Sequence, residues 1–178
     1  MALGGKETEV DTATETTGFP DLAHHDCVID AAIETFAATC SLELQPQGKD
    51  GVDGVTGDGV IVAVISLVGD IEWSVLLGLP RETATTAVRT FAGFELDFDS
   101  EDMGDAVGEL ANMLAGATKA KLDQRGIKVE ISLPSVMRGE HVHVLSQSNV
   151  QSVLTCFGTA AGRLWTGVLW STKSASAS

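Results

Sequence analysis

Two apolar, β-branched runs, Val60–Val68 and Ile71–Leu79, stand on either side of Gly69-Asp70, and no other feature of the chain limits its fold as much. A two-residue link of this kind predicts a tight β-hairpin, with Trp73 in its second strand. Further strand-like runs follow at Ile127–Leu133, His141–Ser146, Val150–Phe157 and Arg163–Trp170. Ser41-Leu-Glu-Leu-Gln45 alternates as a short strand should. Between these, His25–Thr39 has helical periodicity, with Val28, Ile29, Ala32, Ile33, Phe36 and Ala37 on one side. Pro80 opens a short helix over Arg81–Phe91. The segment Lys49–Gly59, rich in glycine and aspartate, reads as a loop. The expected fold is α+β, an antiparallel β-sheet packed with helices.

The stretch Glu101–Gly116 carries a second pattern. Met103, Val107, Leu110, Leu114 and Ala117 recur at spacings of 4, 3, 4 and 3. At about 100° per residue they make one apolar stripe, which predicts an amphipathic helix. Asp99 or Ser100 is its expected N-cap; Glu101 and Asp102 suit the positive end of the helix dipole, and Lys119 and Lys121 the negative end. Asp105, Glu109, Asn112 and Gly116 repeat the apolar spacing two residues out of phase, on the opposite face. A merely solvated face would use Lys, Glu, Gln and Ala, which favour helix. Here Asn112 stands at the centre, with Gly108 and Gly116 beside it. Each glycine inside a helix costs about 1 kcal/mol relative to alanine. Such a face is built to meet another surface at close range.

Charge and cysteines exclude several classes. The net charge is −14, and the first 26 residues hold six carboxylates against the single Lys6. Nucleic acid and anionic membrane are repelled by such a surface. Residues 1–25 read as a disordered acidic tail, without the basic start and apolar run of a signal peptide. Residues 26–171 form one domain and 172–178 a second disordered tail. No run reaches the roughly 18 apolar residues of a membrane span, so the expected location is cytoplasmic. Cys27, Cys40 and Cys156 are odd in number and far apart, and read as buried free thiols. No metal site is expected. His141 and His143 share a strand face but lack a third ligand, and Asp50, Asp53 and Asp58 lack the closing glutamate of a calcium loop.

Gly108-Glu-Leu-Ala-Asn-Met-Leu-Ala-Gly116, with Asp105 before it and Pro134 after the next strand, resembles the CheC/CheX/FliY phosphatases of bacterial chemotaxis. Their motif is Asp or Ser, three residues, Glu, two residues, Asn, and a Pro further on; here 21 residues separate Asn112 from Pro134. Glu-x-x-Asn occurs once in the chain, so the resemblance is to single-site, CheX-like members. An internal echo fits: Asp30, Glu34 and Ala37 of the first helix repeat the spacing of Asp105, Glu109 and Asn112, with Ala37 in place of the amide. This suggests an internal helix-plus-strands duplication with a decayed first copy.

The resemblance implies an aspartyl-phosphate phosphatase acting on a phosphorylated CheY-like receiver domain of chemotaxis or two-component signalling. It implies that Asn112 orients the attacking water and that Glu109 docks on the receiver's active-site lysine. Asp105, Gly108 and Gly116 would serve partner binding. The magnesium would belong to the receiver, with no cofactor held by this chain. A homodimer formed through the sheets, with Trp165 and Trp170 available for it, is implied too. The competing reading is a non-catalytic docking or scaffold module that binds a receiver or another signalling protein through the same helix face.

Overall fold

The structure is a computed structural model that describes residues 22–47, 54–143 and 149–171. Along these residues run α1 (Leu22–Cys40), β1 (Gln45–Pro46), β2 (Gly54–Gly69), β3 (Glu72–Pro80), α2 (Arg81–Ala92), α3 (Glu101–Gln124), β4 (Val129–Ile131), β5 (Ser135–His143), β6 (Val150–Thr159) and β7 (Gly162–Ser171). All strand pairs are antiparallel, in the order β1-β6-β7-β3-β2-β4, with β5 also on β2. The expected α+β class is the observed one.

The order is symmetric about its centre. Hairpins β2–β3 and β6–β7 meet through their second strands, β3 and β7. A short strand flanks the end of each first strand: β4, which follows α3, on Leu67–Gly69, and β1, which follows α1, on Phe157–Gly158. Each half is thus a helix, a short edge strand and a hairpin, the duplication suggested by the echo between the helices. Among the described residues strand β5 and helix α2 have no counterpart.

The hairpin strands are apolar throughout because both their faces are covered. Ile61, Ala63, Ile65, Leu67, Val75 and Leu77 pack with Val28, Ala32, Phe36, Leu110 and Leu114 of α1 and α3. The alternate residues Val60, Val62 and Leu76 join Leu154, Cys156 and Trp165 in a second cluster on the other face. The β2–β5 pairing continues past a register shift between Thr56 and Val60, and Val142 of β5 packs against that cluster. Trp165 is only 5% exposed, so it packs inside this chain rather than lying open to a second copy.

Several sequence-based boundaries move. The Lys49–Gly59 loop is corrected: strand β2 begins at Gly54, while residues 48–53 lie outside the described residues. The β2–β3 turn has three residues, since Val68 pairs with Glu72. The reason is β4, which pairs here: a Cβ on Gly69 would collide with the Lys128 carbonyl, and Asp70 exchanges hydrogen bonds with the Lys128 backbone at 2.8 and 2.9 Å. The Ser41–Gln45 strand shrinks to Gln45–Pro46, although Leu42 and Leu44 are buried in alternation as expected. Strand β5 starts at Ser135, six residues before the apolar run that was legible, and residues 144–148 lie outside the description. Of the tail expected over residues 1–25, residues 1–21 lie outside the description while residues 22–25 open α1 with His25 buried; the Ser/Ala tail 172–178 lies outside it as well.

Candidate functional site

Helix α3 starts where the sequence places it. Ser100 is the N-cap, its Oγ accepting from the Met103 N–H at 3.2 Å, with Glu101 and Asp102 in the first turn and Lys121 in the last. The connector before it is clamped: Arg81 lies over the buried Phe98 ring and pairs with Asp99, and Arg138 of β5 donates to the Ser100 carbonyl at 2.6 Å. The helix is thereby fixed at its start to β5.

Its burial is broader than one apolar stripe. Met103, Val107, Leu110 and Leu114 are buried as expected, and so are Gly108, Ala111, Ala115, Thr118 and Leu122. The helix meets the sheet, α1, and the β4–β5 edge at once, so small residues are needed where backbones come close. Asp105, Glu109 and Gly116 remain exposed and Asn112 is half-buried. The Asn112 Nδ2–H donates to Glu109 Oε1 across one turn, at a long 3.5 Å. Among the described residues Glu109 has no cationic partner, so its carboxylate is available to one from outside.

The strand beside this face is broken at the same level. Ser132 continues the β2 ladder, its N–H donating to the Ser66 carbonyl at 2.9 Å while its Oγ accepts from the Ser66 N–H at 3.0 Å. Pro134 has no N–H to give to a ladder, and pairing resumes only at Ser135. Strands β4 and β5 are therefore one edge line interrupted at Leu133-Pro134. Helix α3 runs antiparallel to it, with Lys119 on Glu130 at 2.9 Å, Gly108 at Pro134 and Val136, and Arg138 on Ser100.

Gly108 is consequently not a partner-facing residue, which corrects its expected role. It is buried, and a Cβ there would stand 3.5 Å from Val136 Cγ2 and 3.6 Å from Pro134 Cγ. Gly116 is different: it is exposed, with nothing within 4 Å of a built Cβ. Taking Gly108 as the direction of the strand, Asn112 lies about 40° round the helix, Asp105 about 60°, Gly116 about 80° and Glu109 about 100°. Asn112 is the polar residue nearest the break, and Glu109 points furthest outward. Asp105, Glu109 and Gly116 are open to solvent on this face, with Asn112 partly covered.

On α1 the equivalent positions are also exposed, but differently equipped. Glu34 is tied to Lys121 of α3 at 2.7 Å, and Ala37 offers no polar group. Cys27, Cys40 and Cys156 are buried thiols in no disulfide, and burial pushes those of Cys27 and Cys40 above their ordinary pKa. Among the described residues no three His, Cys, Asp or Glu side chains converge as a metal cluster, and no helix is long and apolar enough to cross a membrane.

Residues 61–158 match the family model described as chemotaxis phosphatase CheX. The CheY-P phosphatase CheX of Thermotoga maritima is 30% identical over 122 residues, covering 68% of this chain and 79% of that protein. Among solved structures, the chemotaxis protein CheX from Desulfovibrio desulfuricans superimposes with a TM-score of 0.73 at 20% identity, over 82% of this chain and 97% of the other. The CheX-CheY-BeF3-Mg2+ complex from Borrelia burgdorferi contains a chain that superimposes with a TM-score of 0.64, also at 20% identity, over 83% and 96% of the two chains.

Proposed function

Since this chain belongs to the CheX family of chemotaxis phosphatases, we propose that it dephosphorylates a CheY-like receiver domain through the exposed face of α3. The observation that carries the reading is the pair Glu109 and Asn112, one turn apart on open surface, with Glu109 free of any cationic partner among the described residues. An exposed acidic face suits a macromolecule, and the relative of similar fold from Borrelia burgdorferi is in complex with CheY.

The chemistry asks little of this chain beyond placement. An aspartyl phosphate is a reactive acyl phosphate, so no new nucleophile is needed. Water attacks phosphorus opposite the aspartyl oxygen, the P–O bond breaks, and inorganic phosphate leaves the free carboxylate behind. Holding that water in line can remove several kcal/mol of barrier. The Asn112 Oδ1 accepts a hydrogen from the water while its Nδ2–H donates to a phosphoryl oxygen. Glu109 can only accept when ionised, and a receiver lysine is its partner, which fixes the register of the helix. Asp105 adds to the acidic face and Gly116 permits close approach. The magnesium is assigned to the receiver, where it offsets phosphoryl charge. Two copies of the chain associate as a homodimer in this reading; a monomeric mass by light scattering at micromolar concentration contradicts it.

Phosphate release from a phosphorylated receiver tests the proposal. Asn112→Ala should lower kcat by about 100-fold, as loss of a preorganised polar group does elsewhere, while receiver binding stays within a few-fold. Equal rates with and without the wild-type protein, at unimpaired binding, would select the docking module instead.

A further inference from the structure

Leu133 is 87% exposed, the most exposed of the large apolar residues described. A leucine so placed on a loose loop would mean little, but its backbone is held on both sides. Ser132 is bonded into the β2 ladder by its N–H and its Oγ, and that Oγ also donates to the Leu133 carbonyl at 3.0 Å. Pro134, with its φ fixed by the ring, is packed against Gly108. The break in the edge strand thus presents one apolar side chain outward from a rigid base.

Its position ties it to the polar face. Asn112 lies one turn beyond Gly108, about 6 Å along the helix axis towards Lys119. Because Gly108 stands at Pro134 and Lys119 at Glu130, that turn runs abreast of Ser132–Leu133. Val136, 37% exposed, continues the apolar strip beside Gly108. Met113, 42% exposed, lies about 140° round the helix from Gly108, on the far side of the polar stripe. The water-placing amide is therefore bracketed by apolar side chains on an otherwise acidic surface. Such a rim both excludes bulk water and supplies contact area.

We propose that Leu133 is the apolar docking anchor for the receiver domain, entering an apolar recess on the receiver surface beside its phosphoaspartate, with Val136 and Met113 closing the rim. This rests on the phosphatase reading and adds what chooses the partner: the polar pair acts on any acyl phosphate presented to it, whereas the leucine discriminates between receivers by shape.

The test uses the full chain and a CheY-type receiver from the same genome, activated with beryllofluoride and Mg2+ for binding and phosphorylated for turnover. Leu133→Ser should weaken binding and raise KM by about tenfold or more, with kcat within twofold of wild type. Leu133→Met should restore both. Unchanged binding and KM in Leu133→Ser, with wild type active, would overturn the anchor alone. A fall in kcat at unchanged KM would overturn it too, making Leu133 a support for Asn112. Were wild type neither to bind nor to dephosphorylate the receiver, the functional reading itself would fail, and the anchor with it. Because Leu133 is exposed in the free protein, thermal unfolding should not shift, which separates lost docking from lost folding.

Discussion

Helices α1 and α3 hold equivalent places in a symmetric sheet, and their inner faces are alike, yet their outer faces are not. Both bury an apolar side in one core cluster under the sheet, α1 towards β7 and α3 towards β2, through Val28, Ala32 and Phe36 in one and Val107, Leu110 and Leu114 in the other. Outside, α3 carries Asn112 and, among the described residues, Glu109 without a cation, whereas α1 carries Glu34 paired to Lys121 and Ala37. The helices also differ in reach. Helix α1 stops at Cys40, just past Ala37, while α3 continues to Gln124, long enough to lie along β4 and the start of β5. Packing constrains both halves equally, so their buried sides stay alike. The surface is less constrained, and there the carboxylate of α1 is half of an ion pair.

Charge reversal should separate the halves most sharply. Glu109→Lys should abolish receiver binding and reduce phosphate release by more than about 100-fold, because a lysine then faces a lysine. Glu34→Lys should leave turnover within twofold and cost about 1 kcal/mol or less in denaturant melts, since the Glu34–Lys121 pair is solvent-screened at its carboxylate end. A large loss of turnover from Glu34→Lys would show that the first half still docks a partner.

Smaller effects should distinguish the two glycines. Alanine at either position gains up to about 1 kcal/mol of helix propensity. Gly116→Ala meets nothing in the free protein, so it should raise the melting temperature yet weaken receiver binding several-fold. Gly108→Ala adds a methyl at ordinary contact distance from Val136 and Pro134 and should leave binding unchanged. Equal binding by both variants would remove Gly116 from the partner surface. The smallest effect expected is none: Ala37→Asn placed in an Asn112→Ala background should restore no phosphate release. The amide would return without a free glutamate or a broken strand beside it, and recovered turnover would refute that account of the silent half.

Much of this was legible from residue order. The paired apolar runs marked β2 and β3, the periodicity marked α3 and its Ser100 cap, and the out-of-phase polar stripe marked the face that stays open. Strand β5 was hidden because Pro134 and Gly139 punctuate it and Val136 and Met137 are partly exposed, so neither composition nor burial marks its first half. The start of β2 was hidden for a similar reason, in a segment whose glycines and aspartates favour turns until β5 pairs with it. Gly108 was misplaced because a helical wheel shows which residues point away from one apolar stripe, and α3 packs on more than one surface.

What the sequence determined by itself is local: periodicity, caps, the hairpin, and the spacing that puts Glu109 and Asn112 on one side of a helix. Those follow from backbone geometry within a few turns. Which carboxylate stays unpaired among the described residues, which glycine is buried, and which leucine stands exposed at the strand break depend on contacts between residues far apart in the chain. Glu34 meets Lys121, Gly108 meets Pro134, and Ser132 meets Ser66. Only the packed structure brings those pairs into contact, and with them it decides what each of two similar helices presents on its outer face.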